Sequence, residues 1–133
     1  RQQFLAGAAR TEDAHARVGS RDPLRLRIKL PSGDWMGPGK ADLMQGIAET
    51  GSISAAGKRL GMSYKRAWSL VEVLNEMFAE PVVAASRGGA AHGGATLTAS
   101  GKRVLDQYRQ AQAKAAEAAG SEVATIVDMS IRK

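Results

Sequence analysis

Four cations, Lys58, Arg59, Lys65 and Arg66, fall between Gly51 and Val71 with no acidic residue among them. Gly61-Met62-Ser63 divides them into two pairs, and the hydroxyl-bearing Ser52, Ser54, Ser63, Tyr64 and Ser69 are interleaved. Ammonium and guanidinium groups neutralise phosphates, and an arginine fork also matches the O6/N7 edge of guanine. Serine and tyrosine hydroxyls add hydrogen bonds to phosphate oxygens. The chemistry open to these residues is recognition of a polyanion, with no bond made or broken.

The rest of the composition agrees. The chain has 133 residues, room for one domain with a modest core and short extensions. It contains no Cys, which excludes disulfides, thiolate nucleophiles and Cys-ligated metal sites and fits a cytoplasmic protein. His15 and His92, the two histidines, lie far apart with no second ligand beside either, so no metal site is expected. No Ser/His/Asp set or carboxylate pair supports an enzyme, and no cofactor is expected. No apolar run approaches the ~18 residues of a membrane span, so no membrane partner is expected. The net charge of +6 is concentrated in residues 1–30, 51–71 and 83–103, while residues 72–82 hold three acids and no cation. That distribution suits nucleic acid ahead of an anionic membrane surface.

These residues need elements to position them. Residues 1–23 read as an Ala-rich N-terminal arm, either a solvated tail or a segment ordered against a partner. Leu24 to Leu30 alternates strictly between apolar residues and Arg25, Arg27 and Lys29, which predicts a half-buried strand with a basic outer face. A turn follows, and Trp35 to Gly39 reads as a continuation of the loop. From Gly39 to Thr50 the apolar positions Leu43, Met44, Ile47 and Ala48 share one helical face. Gly51 is placed to end that helix and Ser52 to cap the next, Ile53 to Leu60, with Ala55, Ala56 and Leu60 inward. Gly61 makes the turn, and Ser63 caps a helix from Tyr64 to about Phe78.

That last helix has an inward stripe of Ala67, Val71, Leu74 and Phe78, widened by Leu70 and Met77. Its outward stripe is Lys65, Ser69, Glu72 and Glu76, positive at the start and negative two turns on. Only the N-terminal end can approach phosphate. Trp68 is expected in the core, where its indole buries a large apolar area. Val82 to Ala85 and Ala95 to Thr98 read as strands flanking a glycine-rich loop that carries Arg87 and His92. Beside a helix-turn-helix such a hairpin is a wing; the loop lacks the strand–loop–helix order and the Lys-Ser/Thr of a nucleotide site. Ser100 is placed to cap a last long helix, Gly101 to about Ala119. Its Val104, Tyr108, Ala111, Ala115 and Ala118 step by four and three, a heptad seam for a second copy of the chain or a cover for its own sheet; dimerisation is the preferred reading. Residues 121–133 form a tail with no evident structure.

The expected fold is α+β, mostly α: a winged helix-turn-helix over 24–98, a dimerisation helix over 99–120, an arm over 1–23 and a tail over 121–133. The segments TGSISAAGKRLGMSYKRAW, LVEVLNEMF, GGAAHGG and ATLTASGKRVL, between residues 50 and 105, resemble the N-terminal DNA-binding domain of ModE-type molybdate-responsive transcription regulators, whose helix-turn-helix is LysR-like. The Ser-Tyr-Lys-x-Ala-Trp run at 63–68 and the glycine-rich loop ending in Leu-Thr-x-x-Gly carry the specificity of that resemblance. It implies double-stranded DNA as partner and control of molybdenum-related genes. The family's molybdate-binding Mop-like domains would follow the long helix. Too few residues remain here for one, which leaves either a member lacking the sensor or a piece of a longer chain, and an effector that the sequence does not identify.

On that reading a homodimer presents two Tyr64 helices to successive major grooves of a pseudo-palindromic operator. Lys65, Arg66 and Ser69 are the candidate base readers and Tyr64 a stacking or phosphate group. Lys58, Arg59, Arg87 and His92 are phosphate or minor-groove candidates, and Ser52, Ser54 and Ser63 stand at helix starts where free N–H groups hold phosphate. The alternative is a winged-helix protein–protein interaction module without sequence-specific DNA binding.

Overall fold

The computed structural model of the chain describes residues 23–86 and 94–130. It opens on a two-stranded antiparallel hairpin of β1 (Ile28–Lys29) and β2 (Trp35–Met36), with Ile28 opposite Met36 and Lys29 opposite Trp35. Gly33, at φ +99°, makes the reversal, and its N–H donates to the Leu30 carbonyl. The strand is much shorter than the predicted Leu24–Leu30, and the alternation holds only in part: Arg25, Arg27 and Lys29 are exposed and Leu24, Leu26 and Leu30 half-buried, but Ile28, predicted to face inward, is exposed because its two-stranded hairpin is too small to cover it. Trp35 and Met36 form its partner strand, where a loop was expected. Two residues offered too short a pattern to read, and pairing across the Gly33 turn with Ile28 and Lys29 made the strand.

Helix α1 (Pro38–Thr50) starts on a proline, whose missing N–H costs nothing in the first turn. Ala41, Leu43, Met44, Gly46 and Ile47 are buried. Ala48, expected inward, is exposed, and Ala41 takes its place on the buried face. Gly51 ends the helix at φ +73° with its N–H on the Ile47 carbonyl. The left-handed conformation there strains any residue with a Cβ. Ser52 then caps α2 (Ile53–Arg59), its Oγ accepting the Ala55 N–H at 3.0 Å. Leu60, predicted to face inward, lies past the helix end and is exposed, and Ile53 and Gly57 share the buried face with Ala56; Ala55 is half-buried.

Ser63 caps α3 (Tyr64–Met77), accepting the Arg66 N–H at 3.1 Å. Ala67, Val71, Leu74 and Met77 are buried as the stripe predicted, with Phe78 half-buried in the extended residue after the helix. The three helices meet through small residues. A Cβ on Gly46 would stand 2.9 Å from the Cβ of Ala56, and one on Gly57 would stand 2.8 Å from that of Ala67. Both crossings are therefore closer than a methyl pair permits. Around them Leu43, Met44, Ile47, Ile53 and Leu74 are fully buried, and truncating any to alanine would cost about 2–5 kcal/mol.

The wing strands β3 (Val83–Ala85) and β4 (Ala95–Leu97) pair antiparallel, Val83 with Leu97 and Ala85 with Ala95. Its inner end is tied at two places. The Ala95 N–H donates to the Gly51 carbonyl at 2.9 Å, which joins β4 to the start of the helix-turn-helix. Asn75 of α3 accepts the Val82 and Val83 N–H groups on Oδ1, at 2.8 and 3.0 Å, and donates Nδ2 to the Val83 carbonyl at 3.1 Å. Arg87 and His92, on the loop between the strands, lie outside the described residues.

Helix α4 (Ala99–Ala118) is capped by Thr98 instead of the predicted Ser100. Thr98 Oγ1 accepts the Gly101 N–H at 3.0 Å while donating to the Pro81 carbonyl at 2.7 Å, and Ser100, inside the first turn, donates to Glu80. The helix starts at Ala99, two residues earlier than predicted, so Thr98 stands at the cap position and Ser100 is already inside the first turn. Gly101 packs against the Val82 carbonyl so closely that no side chain fits.

By its contacts the chain divides into two units, Arg27–Gln107 and a second comprising Tyr108–Lys133 with the segment up to Leu26. The first holds the hairpin, three helices, the wing and the start of α4. This is the winged helix-turn-helix, α+β and mostly α, that the sequence predicted. In the second unit the Tyr108 hydroxyl donates to the Leu26 carbonyl at 2.6 Å, and the buried Arg109 donates to the buried Gln112 at 3.0 Å. The tail is helical after all. After a break at Ala119, α5 (Gly120–Met129) runs on with none of its residues buried and with Ile126, Val127 and Met129 exposed. No helix among the described residues is long and apolar enough to cross a membrane.

Candidate nucleic-acid interface

Of the residues predicted to meet DNA, Arg87 and His92 lie outside the described residues, and the others run from Ser52, the cap of α2, through the turn to the first half of α3. Burial of Ala67, Val71 and Leu74 fixes the roll of α3. Tyr64, Lys65, Arg66 and Ser69 are consequently all exposed, Tyr64 to 59%. The helix therefore presents a phenol, an ammonium, a guanidinium and a hydroxyl from its first turn and a half. Glu72 and Glu76 are exposed too, farther along the helix, where their charge opposes phosphate. The first turn of α3 contains no acid, and its free N–H groups add partial positive charge to the same end.

Tyr64 does not stand alone. Its ring meets Trp68 edge to face, with centroids 6.2 Å apart and planes at 73°. Trp68, expected in the core, is half-buried: it stands one residue past Ala67, at the edge of the buried stripe of Ala67, Val71 and Leu74. An i, i+4 spacing on one helix brings the rings together, and the pair restrains the phenol. That spacing was present in the sequence as a signal.

The serines have distinct roles. Ser52 and Ser63 use their Oγ acceptors on the N–H groups of Ala55 and Arg66, so both hydroxyls serve first as caps. Ser54 and Ser69 are exposed. Of the two cations late on α2, Lys58 is exposed, whereas Arg59 is engaged: both Nη1 and Nη2 donate to Oε1 of Glu49, at 2.8 and 2.9 Å. Glu49 closes α1, ten residues away, and no periodicity in the sequence points to that pair. A further cationic contact lies on the hairpin, where the Arg27 guanidinium stands 4.9 Å over the Trp35 ring.

The seam residues separate. Tyr108 is buried within the chain, Val104, Ala111 and Ala115 are half-buried, and Ala118 is exposed. The buried stripe of α4 follows Leu105, Tyr108, Arg109 and Gln112, turned from the heptad reading. Asn75, which ties the wing to α3, escaped the sequence reading because its partners are backbone groups. No set of three or more His, Cys, Asp or Glu side chains among the described residues could hold a metal ion.

No protein-family model matches the chain. Among curated proteins it is 43% identical over 86 residues to the molybdenum-pterin-binding protein MopB of Rhodobacter capsulatus. It is 36% identical over 83 residues to the DNA-binding transcriptional dual regulator ModE of Escherichia coli K12, and 33% over 85 residues to the molybdenum transport protein ModE of Azotobacter vinelandii. These matches take in 65%, 62% and 64% of this chain and 32% of each relative, so the chain spans about a third of the length of the proteins it matches. Over that shared segment it is homologous to the ModE and Mop proteins. Among solved structures, the crystal structure of the CbnR_DBD–DNA complex superposes with a TM-score of 0.53 at 23% identity, covering 65% of this chain and 94% of that one. That likeness supports the winged helix-turn-helix fold.

Proposed function

We propose, on the premise that this segment is of the ModE type, that the chain is a DNA-binding transcriptional regulator that reads a pseudo-palindromic operator as a homodimer. The observation that carries the reading is the exposed start of α3. Tyr64, Lys65, Arg66 and Ser69 project from a helix end whose opposite side is packed into the core, with the acids displaced to later turns. Inserted end-on into a major groove, that end offers Arg66 and Lys65 to base edges and Ser69 to either a base or a phosphate. Tyr64, restrained against Trp68, stacks or bonds at the backbone. Lys58 supplies a phosphate contact that holds register without reading sequence. The wing, tied at the Gly51 carbonyl and at Asn75, carries Arg87 and His92 to the flanking backbone or minor groove.

The second copy of the chain is engaged through the 99–120 helix. Its half-buried Val104, Ala111 and Ala115 and exposed Ala118, together with the exposed apolar residues of α5, form the proposed dimer surface. Tyr108, buried inside its own chain with its hydroxyl on the Leu26 carbonyl, is left out of that surface. The 24–98 segment acts as the DNA-reading domain, flanked by the 1–23 arm and the 121–133 tail. The names of the relatives suggest that the regulated genes concern molybdenum.

Selection of bound duplexes from a random pool tests the proposal. Enrichment of a two-fold symmetric sequence with half-sites about one helical turn apart is the expected result. Failure to retain duplex at any ionic strength, with a partner protein bound independently of salt, would replace this reading with that of a protein–protein interaction module.

A further inference from the structure

Arg59 sits late on α2, beside Lys58, where a cation would be expected to meet the phosphate backbone. In the free protein its guanidinium is committed elsewhere. Two of its nitrogens donate to the same oxygen of Glu49, at 2.8 and 2.9 Å, and the other carboxylate oxygen of Glu49 accepts Nε2 of Gln45 at 2.9 Å. Gln45 and Glu49 are one turn apart on α1, so the carboxylate is held in place from its own helix and presented across the α1–α2 corner. At that corner Gly46 packs on Ala56 more closely than a methyl would allow, which fixes how near α1 and α2 lie. Both partners of the ion pair remain about half exposed, at 47% and 48%, so a phosphate can compete for the arginine. To do so it must displace a carboxylate that is already oriented.

We infer that Glu49 is an affinity-setting residue for DNA, a fixed internal anion that occupies Arg59 and subtracts one phosphate contact from the interface. Without it α2 and the start of α3 would present four exposed cations, Lys58, Arg59, Lys65 and Arg66, with no internal anion among the described residues on any of them to compete with phosphate. Sequence-independent affinity grows with each phosphate neutralised. With Glu49 present, one of these four cations is withdrawn, and the interface relies more heavily on the base-reading end of α3. Gln45 is a positioning residue in this arrangement, acting through Glu49.

The inference rests on the DNA-binding reading, and one experiment separates the two. Binding of a fluorescein-labelled random-sequence duplex is followed by anisotropy across a salt series for the wild type, Glu49→Gln, Arg59→Ala and the double variant, each checked for native circular dichroism. Glu49→Gln is expected to bind more tightly and to steepen the log–log salt slope by about 0.9, a further loss of about 3.5-fold between about 50 and 200 mM salt. Arg59→Ala alone is expected to leave the slope near the wild-type value, and in the Glu49→Gln background it should remove the gain. A gain that persists in the double variant would overturn the inference, because Glu49 would then act only by repelling DNA with its own charge. So would a slope already reduced by about one in Arg59→Ala alone. Wild-type protein that binds no duplex at any salt would overturn the DNA-binding reading itself, and this inference with it.

Discussion

Replacing Asn75 with alanine should detach the wing from α3. The side chain fills two backbone donors and one acceptor in the extended segment before and within β3, and Val82 and Val83 are 0% and 3% exposed. Alanine leaves both N–H groups without a partner in a place where water enters only with rearrangement. An orphaned buried donor costs about 1–3 kcal/mol. Because these bonds are only part-buried, about 1–2 kcal/mol for each is the appropriate range, and the longer Nδ2 bond adds less. The expected loss is therefore about 2–4 kcal/mol, a large share of the stability of a small domain. Urea unfolding followed by far-ultraviolet circular dichroism measures it. The midpoint should fall by about 1–2 M with the slope unchanged. Hydrogen exchange provides the local test, since the Val82 and Val83 amides should lose protection while the Leu43–Ile47 amides of α1 retain theirs relative to global unfolding. A variant within about 0.5 kcal/mol of the wild type, with both amides still protected, would refute the assignment of Asn75 as the tie.

Two substitutions should separate base reading from phosphate contact. Arg66→Ala is expected to cost about 1–3 kcal/mol at the selected operator and to relax preference at one base pair, measured by competition with single-base variants; equal losses on operator and random duplex would remove Arg66 from the base-reading set. Lys58→Ala should weaken all duplexes alike and reduce the salt slope by about one. Gly57→Ala places a methyl 2.8 Å from the Ala67 Cβ and should destabilise by about 1–3 kcal/mol despite the better helix propensity of alanine. Adding Ala67→Gly should recover part of that loss, and a Gly57→Ala variant as stable as the wild type would show that the α2–α3 crossing has slack.

Much of the candidate interface could be read without the structure, for reasons that lie within one or two helical turns. Ser52 and Ser63 were recognisable as caps because a cap bonds an N–H three residues on. Gly51 was recognisable because a helix ending there needs φ near +73°. The roll of α3 followed from the spacing of Ala67, Val71 and Leu74, and with it the exposure of Lys65, Arg66 and Ser69. Where the pattern was short or lay at an element's edge it misled. Ala48 and Leu60 are apolar yet exposed, since one residue at the end of a helix is not held to a face by the turns on both sides.

By itself, then, the sequence determined the order of helices α1 to α4 and of the wing strands, the caps at Ser52 and Ser63, the turns at Gly51 and Gly61 and the charged end of α3, all set by interactions within about four residues along the chain. The tertiary structure alone decided which polar groups are already engaged. Arg59 is taken by Glu49 ten residues earlier, the wing by Asn75 seven and eight residues before its partners, the start of α4 by a Thr98 that also bonds Pro81, and Tyr108 by the Leu26 carbonyl. Each of those bonds depends on where two separate elements come to rest against each other. That is set by close approaches such as Gly46 on Ala56 and Gly57 on Ala67, and no local periodicity records them.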